Sequence, residues 1–325
     1  MTNKYNILVL GVSGNVSRGI VSVLRNSGID MNIVGACITN DSIGQYFVDE
    51  YHVSPLAADA KFIPWLINIC NNKNIDMVLS GVEENIYAIS THLPELQSKT
   101  AAKFLVATPN QLEIGNDKLK TCLWLKNNGC NYPLFADASD KNAVNKLAAM
   151  AGFPLIAKPR NGKGSNGIIK VCNQNDILQI PKQNYVVEQM LGDDNSEYTV
   201  ACYSHKSNSK TEIITMKRKL EHGTTMIAEP VFDNVIYNQA LKICEAFRPI
   251  GPLNIQLRMH NGRPTCFELN VRFSGTTPMR DLLGFRDVVA ALREHLTGQS
   301  ADDCFDIKQA KVIRYQTEKL IGYSK

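Results

Sequence analysis

Two alternating runs in the C-terminal third constrain this chain most. Pro252 to Met259 alternates apolar and polar residues, Thr265 to Val271 does the same, and Asn261-Gly262 between them is a hairpin-turn signal. Side chains two apart on a strand share a face. Asn254, Gln256 and Arg258 therefore point one way, and Glu268, Asn270 and Arg272 can join them from the partner strand. That face carries a carboxylate, amides and arginines where a core strand would place Val or Ile. Oxygen donors with few protein charges suit Mg²⁺ shared with the phosphates of a nucleotide. Arg272 would then stand where charge builds on a transferring phosphoryl group. A solvent-facing polar side of an antiparallel hairpin produces the same pattern, so the rest of the chain has to decide.

A length of 325 residues exceeds one ordinary core and predicts two or three domains. Hydrophobic content of 44% with 20% charged residues describes a soluble globular protein. The net charge of +4 is small for this length; it favours anionic ligands over a nucleic-acid-binding surface. No apolar run approaches the roughly 20 residues needed to cross a bilayer, so no membrane association is expected. Met1 to Tyr5 leads straight into the strand Asn6 to Leu10, which leaves no room for a signal peptide. The 9 cysteines include no Cys-x-x-Cys pair, which fits reduced thiols and a cytoplasmic location. The 6 histidines form no zinc-ligand pattern.

Along the first part of the chain, strands alternate with helices. Strands are expected at Asn6–Leu10, Met31–Ile38, Ile75–Leu79 and Lys103–Thr108, with helices at Arg18–Ser27 and Phe62–Asn72. A parallel sheet with right-handed crossovers follows. Thr108-Pro109 opens a helical passage, Asn116-Asp117-Lys118 caps the helix Leu119–Asn128, and Ala138–Ala151 is a further helix ended by Gly152. Strands then follow at Pro154–Pro159, Gly167–Cys172, Tyr185–Met190, Tyr198–Ser204 and Glu212–Leu220. The helix Asn234–Phe247 precedes the polar hairpin, and the helix Phe285–Leu296 and a strand Lys311–Glu318 close the chain. The second half is thus a mixed, largely antiparallel α+β arrangement.

Several constellations lie on this frame. Gly11-x-x-Gly14, between a strand and a helix, offers backbone N–H groups to an anion or is simply a tight turn. The full dinucleotide pattern is missing, and no acidic residue closes the second strand near Val34 to Cys37, which speaks against a nicotinamide cofactor. Lys158 leads into a loop from Arg160 to Gly167 whose Gly162, Gly164 and Ser165 would let the backbone approach a polyphosphate; a flexible hairpin with solvated lysines is the alternative. The loop is not a Walker A motif. The strand carrying Glu188, Gln189, Met190 and Leu191 can offer backbone groups to an adenine edge, with Glu197 accepting from ribose hydroxyls, or it is an edge strand with an acidic turn. In Met216-Lys217-Arg218-Lys219, alternation turns Arg218 inward and leaves the lysines in water, although a plain basic strand face is equally compatible. Glu83 and Glu84 either serve a helix dipole or, at the end of a parallel strand, bind a substrate amine.

Taken in order, these residues resemble the ATP-grasp superfamily, and within it proteins similar to the carbamoyl-phosphate synthase large subunit. The matching string runs from Asn116-Asp117-Lys118 through Lys158-Pro159 and its Gly loop, Glu188 to Leu191 with Glu197, Lys217-Arg218, Asn254 to Gln256, and Glu268 to Gly275. The resemblance implies an N-terminal parallel α/β domain over residues 1–110, a small lid subdomain over 111–185, and a large subdomain over 186–325. It implies ATP and Mg²⁺ (or Mn²⁺) as cofactors. Lys118 and Lys158 would lie on the phosphates, and Glu188, the backbone of Gln189 to Leu191 and Glu197 around adenosine. Gln256, Glu268 and Asn270 would bind metal, and Arg272 with Arg218 would stabilise an acyl phosphate. Gln256 stands where many members carry Asp or Glu, a variant found in the carbamoyl-phosphate synthase branch.

The expected activity is ATP-dependent ligation of a carboxylate to an amine or thiol. A kinase or carbamoyl-phosphate-synthase-like phosphotransfer is the alternative, with an NAD-dependent oxidoreductase and a non-catalytic nucleotide binder as more distant rivals. Substrate contacts are expected from Gly14, Glu83, Ser274, Gly275 and Arg280, with small-molecule carboxylates and amines as partners and a homodimer as the assembly common among similar proteins. The identity of either substrate is not legible.

Overall fold

The computed structural model describes residues 4–162, 166–207, 210–315, 318 and 320–321. The N-terminal segment builds β1 (Tyr5–Leu10), α1 (Asn15–Arg25), β2 (Met31–Cys37), β3 (Glu50–Val53), α2 (Phe62–Asn72), β4 (Met77–Ser80), α3 (Glu83–Thr91), α4 (Leu93–Lys99) and β5 (Lys103–Phe104). These strands form one parallel sheet of order β3-β2-β1-β4-β5. The order reverses between β1 and β4, so the turns after these strands flank a crevice at their carboxyl ends, where open α/β sheets bind ligands. The two turns are pressed together. A Cβ on Gly11, at φ +69, would lie 2.3 Å from Val82 Cγ2, so only glycine fits there. Ser17 ties them further: its hydroxyl donates to the Leu10 carbonyl at 2.7 Å and accepts from Gly81 N at 3.0 Å.

Next come α5 (Pro109–Asn116), α6 (Lys118–Asn127), β6 (Phe135–Asp137), α7 (Lys141–Ala151), β7 (Leu155–Pro159), β8 (Ile169–Val171) and β9 (Tyr185–Gln189). The four strands make an antiparallel sheet of order β6-β9-β7-β8. This lid has its own small core, built from residues such as Leu147 and Leu155 with Val187 of β9. Its sheet therefore runs past residue 185, where the lid was expected to end. Helices α5 and α6, within the expected lid, pack instead on the large sheet, and Leu112 and Leu125 belong to the core shared with the N-terminal domain.

The remaining elements are β10 (Glu197–Ser204), β11 (Thr211–Glu221), β12 (Thr224–Pro230), α8 (Asn234–Phe247), β13 (Gly251–His260), β14 (Arg263–Asn270), α9 (Thr277–Leu282), α10 (Asp287–Leu292) and β15 (Val312–Ile313). They form a six-stranded antiparallel sheet of order β14-β13-β10-β11-β12-β15. One face is apolar: Leu253, Ile255 and Leu257 pack with Ile236, Ala240 and Ile243 of α8 in a core that also holds Leu8, Leu10 and Val78 of the N-terminal sheet. No described helix is long and apolar enough to cross a membrane.

Several elements depart from the sequence expectation. The run expected as a strand to Thr108 pairs only over Lys103–Phe104, because β5 is an edge that meets β4 briefly. The strand expected at Lys311–Glu318 pairs only at Val312 and Ile313 against β12; residues 316 and 317 lie outside the described ones. The helix expected at Phe285–Leu296 is α-helical over Asp287–Leu292 and continues as a π turn, Arg293–Thr297. Strands β3 and β12 carry too little alternation to be foreseen; β12 is set by a two-residue reversal with φ of +48 at His222 and +73 at Gly223.

Asp117 couples the lid to the body. Its carboxylate caps α6, accepting from Leu119 N at 3.0 Å and Lys120 N at 3.3 Å, and meets Arg160, at the end of β7, at 2.5 Å. Replacing Asp117 with Ala removes cap and ion pair together and should lower unfolding stability by about 1–2 kcal/mol in urea titration. Asp117→Asn keeps the cap and should lose less. An unchanged midpoint for Asp117→Ala would show that the bridge contributes nothing.

Candidate nucleotide and metal site

The hairpin β13–β14 turns at Asn261 and Gly262, with φ of +50 and +75, as the Asn-Gly pair dictates. Its register sets Asn254 opposite Asn270 and Gln256 opposite Glu268. It then slips between Gln256 and Leu257, where Leu257 pairs with Cys266 and leaves Phe267 as the extra residue of a bulge. Strict alternation would put Phe267 and Glu268 on opposite faces. With the bulge, both border one cavity of about 300 Å³ between the lid and the large sheet.

Lys118, Lys158, Gly162, Glu188 to Leu191, Glu197, Arg218, Gln256 and Glu268 also line this cavity. Gly164 and Ser165 lie outside the described residues. Lys158 is 8% exposed; its Nζ donates to Glu188 Oε2 at 2.7 Å and stands 5.0 Å from the centre of the Phe267 ring. Phe267 escaped the sequence reading, since nothing local marks the bulge that turns it inward. Lys118 Nζ donates to the Gly162 carbonyl at 2.8 Å, tying the start of α6 to the Gly loop. Gln189 is braced by His260, 2.9 Å from its Nε2, so its side chain supports the strand and not the cavity floor. Arg258 likewise gained a role that only the fold reveals. It holds the Leu191 carbonyl at 3.3 Å and, from the strand beside β10, Glu197 at 2.9 Å.

Glu197 lies between two arginines, with Arg218 Nη2 2.5 Å from Oε1 and Arg258 Nη2 2.9 Å from Oε2. Burial pushes its carboxyl pKa up, but the charge and hydrogen bonds of Arg218, joined by those of Arg258, outweigh burial and hold it below the ordinary value. Both Glu197 oxygens are thus engaged by protein cations, so a ribose would share them. Lys217 and Lys219 face water, and Arg218 faces the cavity.

A second cavity, of about 230 Å³, opens from the first and shares Lys118, Gly162, Arg218, Gln256 and Glu268 with it. Its further walls are Asn270, Arg272, Glu83, Asn15 and the Ser274–Thr276 loop. Here the N-terminal crevice meets the large sheet. Arg272 Nη2 donates to Glu83 Oε1 at 2.7 Å and to Asn270 Oδ1 at 2.9 Å, and Asn270 Nδ2 donates to Glu268 Oε1 at 3.0 Å. Gln256 Oε1 accepts from Arg218 at 3.0 Å. The donors Gln256, Glu268 and Asn270 are hard oxygens with a single formal charge, beside a cavity that holds Lys158. That set fits Mg²⁺ completed by phosphate oxygens and water better than a soft transition metal.

Two expected substrate residues are placed otherwise. Arg280 is 1% exposed and lines neither cavity. Its Nε donates to Asp287 at 3.0 Å and its Nη1 to Ser274 Oγ at 2.8 Å, so it braces the loop that carries Ser274 and Gly275. Gly14 precedes α1, and the cavity wall is formed by its neighbour Asn15.

Glu197 yields a pH prediction. A carboxylate whose folded pKa is depressed stabilises the fold above its unfolded value, near pH 4.3, and loses that contribution as pH falls through the folded value. Glu197→Gln should destabilise the protein by about 2–3 kcal/mol at pH 7. The gap to wild type should narrow as pH drops below about 4 in parallel denaturation curves. A gap independent of pH would mean that the two arginines do not act through the charge.

Residues 182–318 match the family described as ATP-grasp in the biosynthetic pathway with Ter operon. The carbamoyl phosphate synthase large chain of Pseudothermotoga lettingae is 22% identical over 311 residues, 85% of this chain and 27% of that one. The carbamoyl-phosphate synthase of Methanobrevibacter smithii is 20% identical over 282 residues, 82% of this chain and 74% of that one. The chain thus spans about a quarter of the first relative's length and about three quarters of the second's. The crystal structure of N5-carboxyaminoimidazole synthetase from Staphylococcus aureus complexed with ADP superposes with a TM-score of 0.73 at 15% identity, covering 96% of this chain and 81% of that one. By its architecture the chain has the ATP-grasp fold, and residues 182–318 match an ATP-grasp family model.

Proposed function

We propose that this protein is an ATP-dependent ligase that joins a carboxylate to an amine, or a thiol, through an acyl phosphate. One observation carries the reading. Lys158, Gln256 and Glu268 border a single cavity, and this cavity opens onto a second in which Arg272 is held between Glu83 and Asn270. The first is suited to the nucleotide: Lys158 and Lys118 for the phosphates, the Glu188–Leu191 strand end and Phe267 for the adenine region, Glu197 for the ribose. The second is suited to the acceptor.

A carboxylate is a poor electrophile at neutral pH, and phosphoryl transfer to it supplies a leaving group. Little covalent work then falls to the protein, which must position and neutralise. Gln256, Glu268 and Asn270 would hold Mg²⁺, or Mn²⁺ in its place, which when bound offsets phosphate charge and aligns the reacting oxygens. Arg272, fixed from two sides, faces the place where the acyl phosphate forms, and Arg218 approaches from β11. Glu83, brought from the N-terminal crevice, sets the direction of Arg272 and adds a negative charge that favours an ammonium-bearing acceptor over an anionic one at that point. Phosphate leaves when the nucleophile attacks the acyl carbon. The Gly loop next to Lys158 would shield that intermediate from water. Assembly as a cytoplasmic homodimer belongs to the same reading, rests on the resemblance, and is checked by light scattering.

The test is ADP release with Mg-ATP and pairs of small carboxylates and amines. Glu268→Gln removes the one formal charge of the metal-binding set. It should lower substrate-dependent ADP release by about 100-fold or more while circular dichroism stays native. ADP release that survives Glu268→Gln would sink the metal assignment. A stable phosphorylated product with no amide or thioester would point to a kinase instead.

A further inference from the structure

A third cavity, of about 370 Å³, shares Asn15 with the proposed acceptor cavity. Its walls include Arg18 and Ser22 of α1, Pro278 of α9 and Arg314 just after β15. Arg25 borders it too, but is neutralised by Asp49 at 2.9 Å. Arg18 and Arg314 are not neutralised: among the described residues neither has a carboxylate within 4.0 Å. Arg314 spends one nitrogen, Nη2, on the Gly275 carbonyl, while its Nη1 is removed from water with no hydrogen-bond partner. Burial, with the charge of Arg18 added, also lowers the guanidinium pKa of Arg314. Two guanidiniums without carboxylate partners on the wall of one cavity favour an anion there.

The cavity is joined to the proposed acceptor site by structure as well as by a shared residue. Gly275, whose carbonyl Arg314 holds, lies in the loop lining the acceptor cavity, and a Cβ built on it would come 3.0 Å from Asn15 Nδ2. Asn15 thus borders both spaces, and Gly275 links Arg314 to the acceptor side of it. A molecule with its reacting group beside Arg272 would pass Asn15 to reach Arg18 and Arg314.

We propose that the acceptor carries, besides its reacting group, a phosphate monoester or a carboxylate that Arg18 and Arg314 bind. This rests on the ligase reading above. Arg18 presents a forked N–H pair that matches the oxygens of either anion, and Arg314, held in place by the Gly275 carbonyl, adds a fixed positive charge beside it. Reaction chemistry stays at Arg272; the distal pair selects which acceptor is held.

The test uses the full chain with its nucleotide cavity filled by a non-hydrolysable Mg-ATP analogue, and inorganic phosphate as the probe in isothermal titration. Wild type should bind one phosphate. Arg18→Ala and Arg314→Ala should each weaken binding at least ten-fold, with partial recovery in Arg18→Lys. Arg18 is on the surface, so its variant keeps the test alive should Arg314→Ala unfold. No phosphate binding by nucleotide-loaded wild type, or equal binding by the double variant, would overturn the proposal. Failure of the nucleotide analogue itself to bind would strike the ligase reading instead. In the ADP-release screen, acceptors bearing a phosphate or second carboxylate should outperform matched ones lacking it. Arg18→Ala should raise KM for the former at least ten-fold, with kcat and the KM for ATP unchanged. If phosphate binds at this pair but acceptors without an anionic group react equally well, the site belongs to a free anion and the acceptor assignment falls.

Discussion

The pairing of β13 with β14 is the constraint on which the site depends. One face of the hairpin supplies Leu253, Ile255, Leu257 and Leu269 to a core shared by the large sheet, α8 and the N-terminal sheet. The other supplies Gln256, Glu268 and Asn270. A one-residue slip would exchange these sets, burying a carboxylate and exposing leucines, so the hydrophobic effect that folds the sheet also fixes the direction of the oxygens proposed to hold metal. The bulge at Phe267 is the one departure from that alternation, and it places an aromatic ring beneath Lys158 without disturbing the apolar face.

Around this hairpin the charges are matched locally. Lys158 meets Glu188, Glu197 meets Arg218 and Arg258, and Arg272 meets Glu83. Glu197 and Arg218 bridge neighbouring strands, the other pairs join elements farther apart in the chain, and the last joins the N-terminal domain to the large sheet. Such pairs contribute modestly to net stability, because desolvation offsets the attraction. Their value lies in orientation: long side chains are held near the positions where phosphates and an acceptor would engage them. Ligand binding has to redistribute these pairs, so affinity is lowered while geometry is gained.

Arg280 shows how position in a motif can mislead. It stands near the end of the motif that carries Arg272 and looks like a second anion contact. Its partner Asp287 lies one helix on, and in the fold the two pair inside the core while Arg280 also ties Ser274. Arg314, far along the chain and in a weakly patterned segment, lines a cavity with Arg18 instead.

The sequence by itself determined the parallel N-terminal sheet, the polar face of the hairpin, the turn at Asn261-Gly262, and the order of the lysines, carboxylates and amides along the chain. These follow from local periodicity and turn chemistry, which neighbouring residues encode. Tertiary structure decided what depends on contacts across long separations: the bulge that turns Phe267 inward, the grip of Arg258 on Glu197, the burial of Arg280, the packing of α5 and α6 on the large sheet, and the meeting of Arg18 with Arg314. No local pattern carries them, because each is settled by which surfaces lose water together once the sheets have packed.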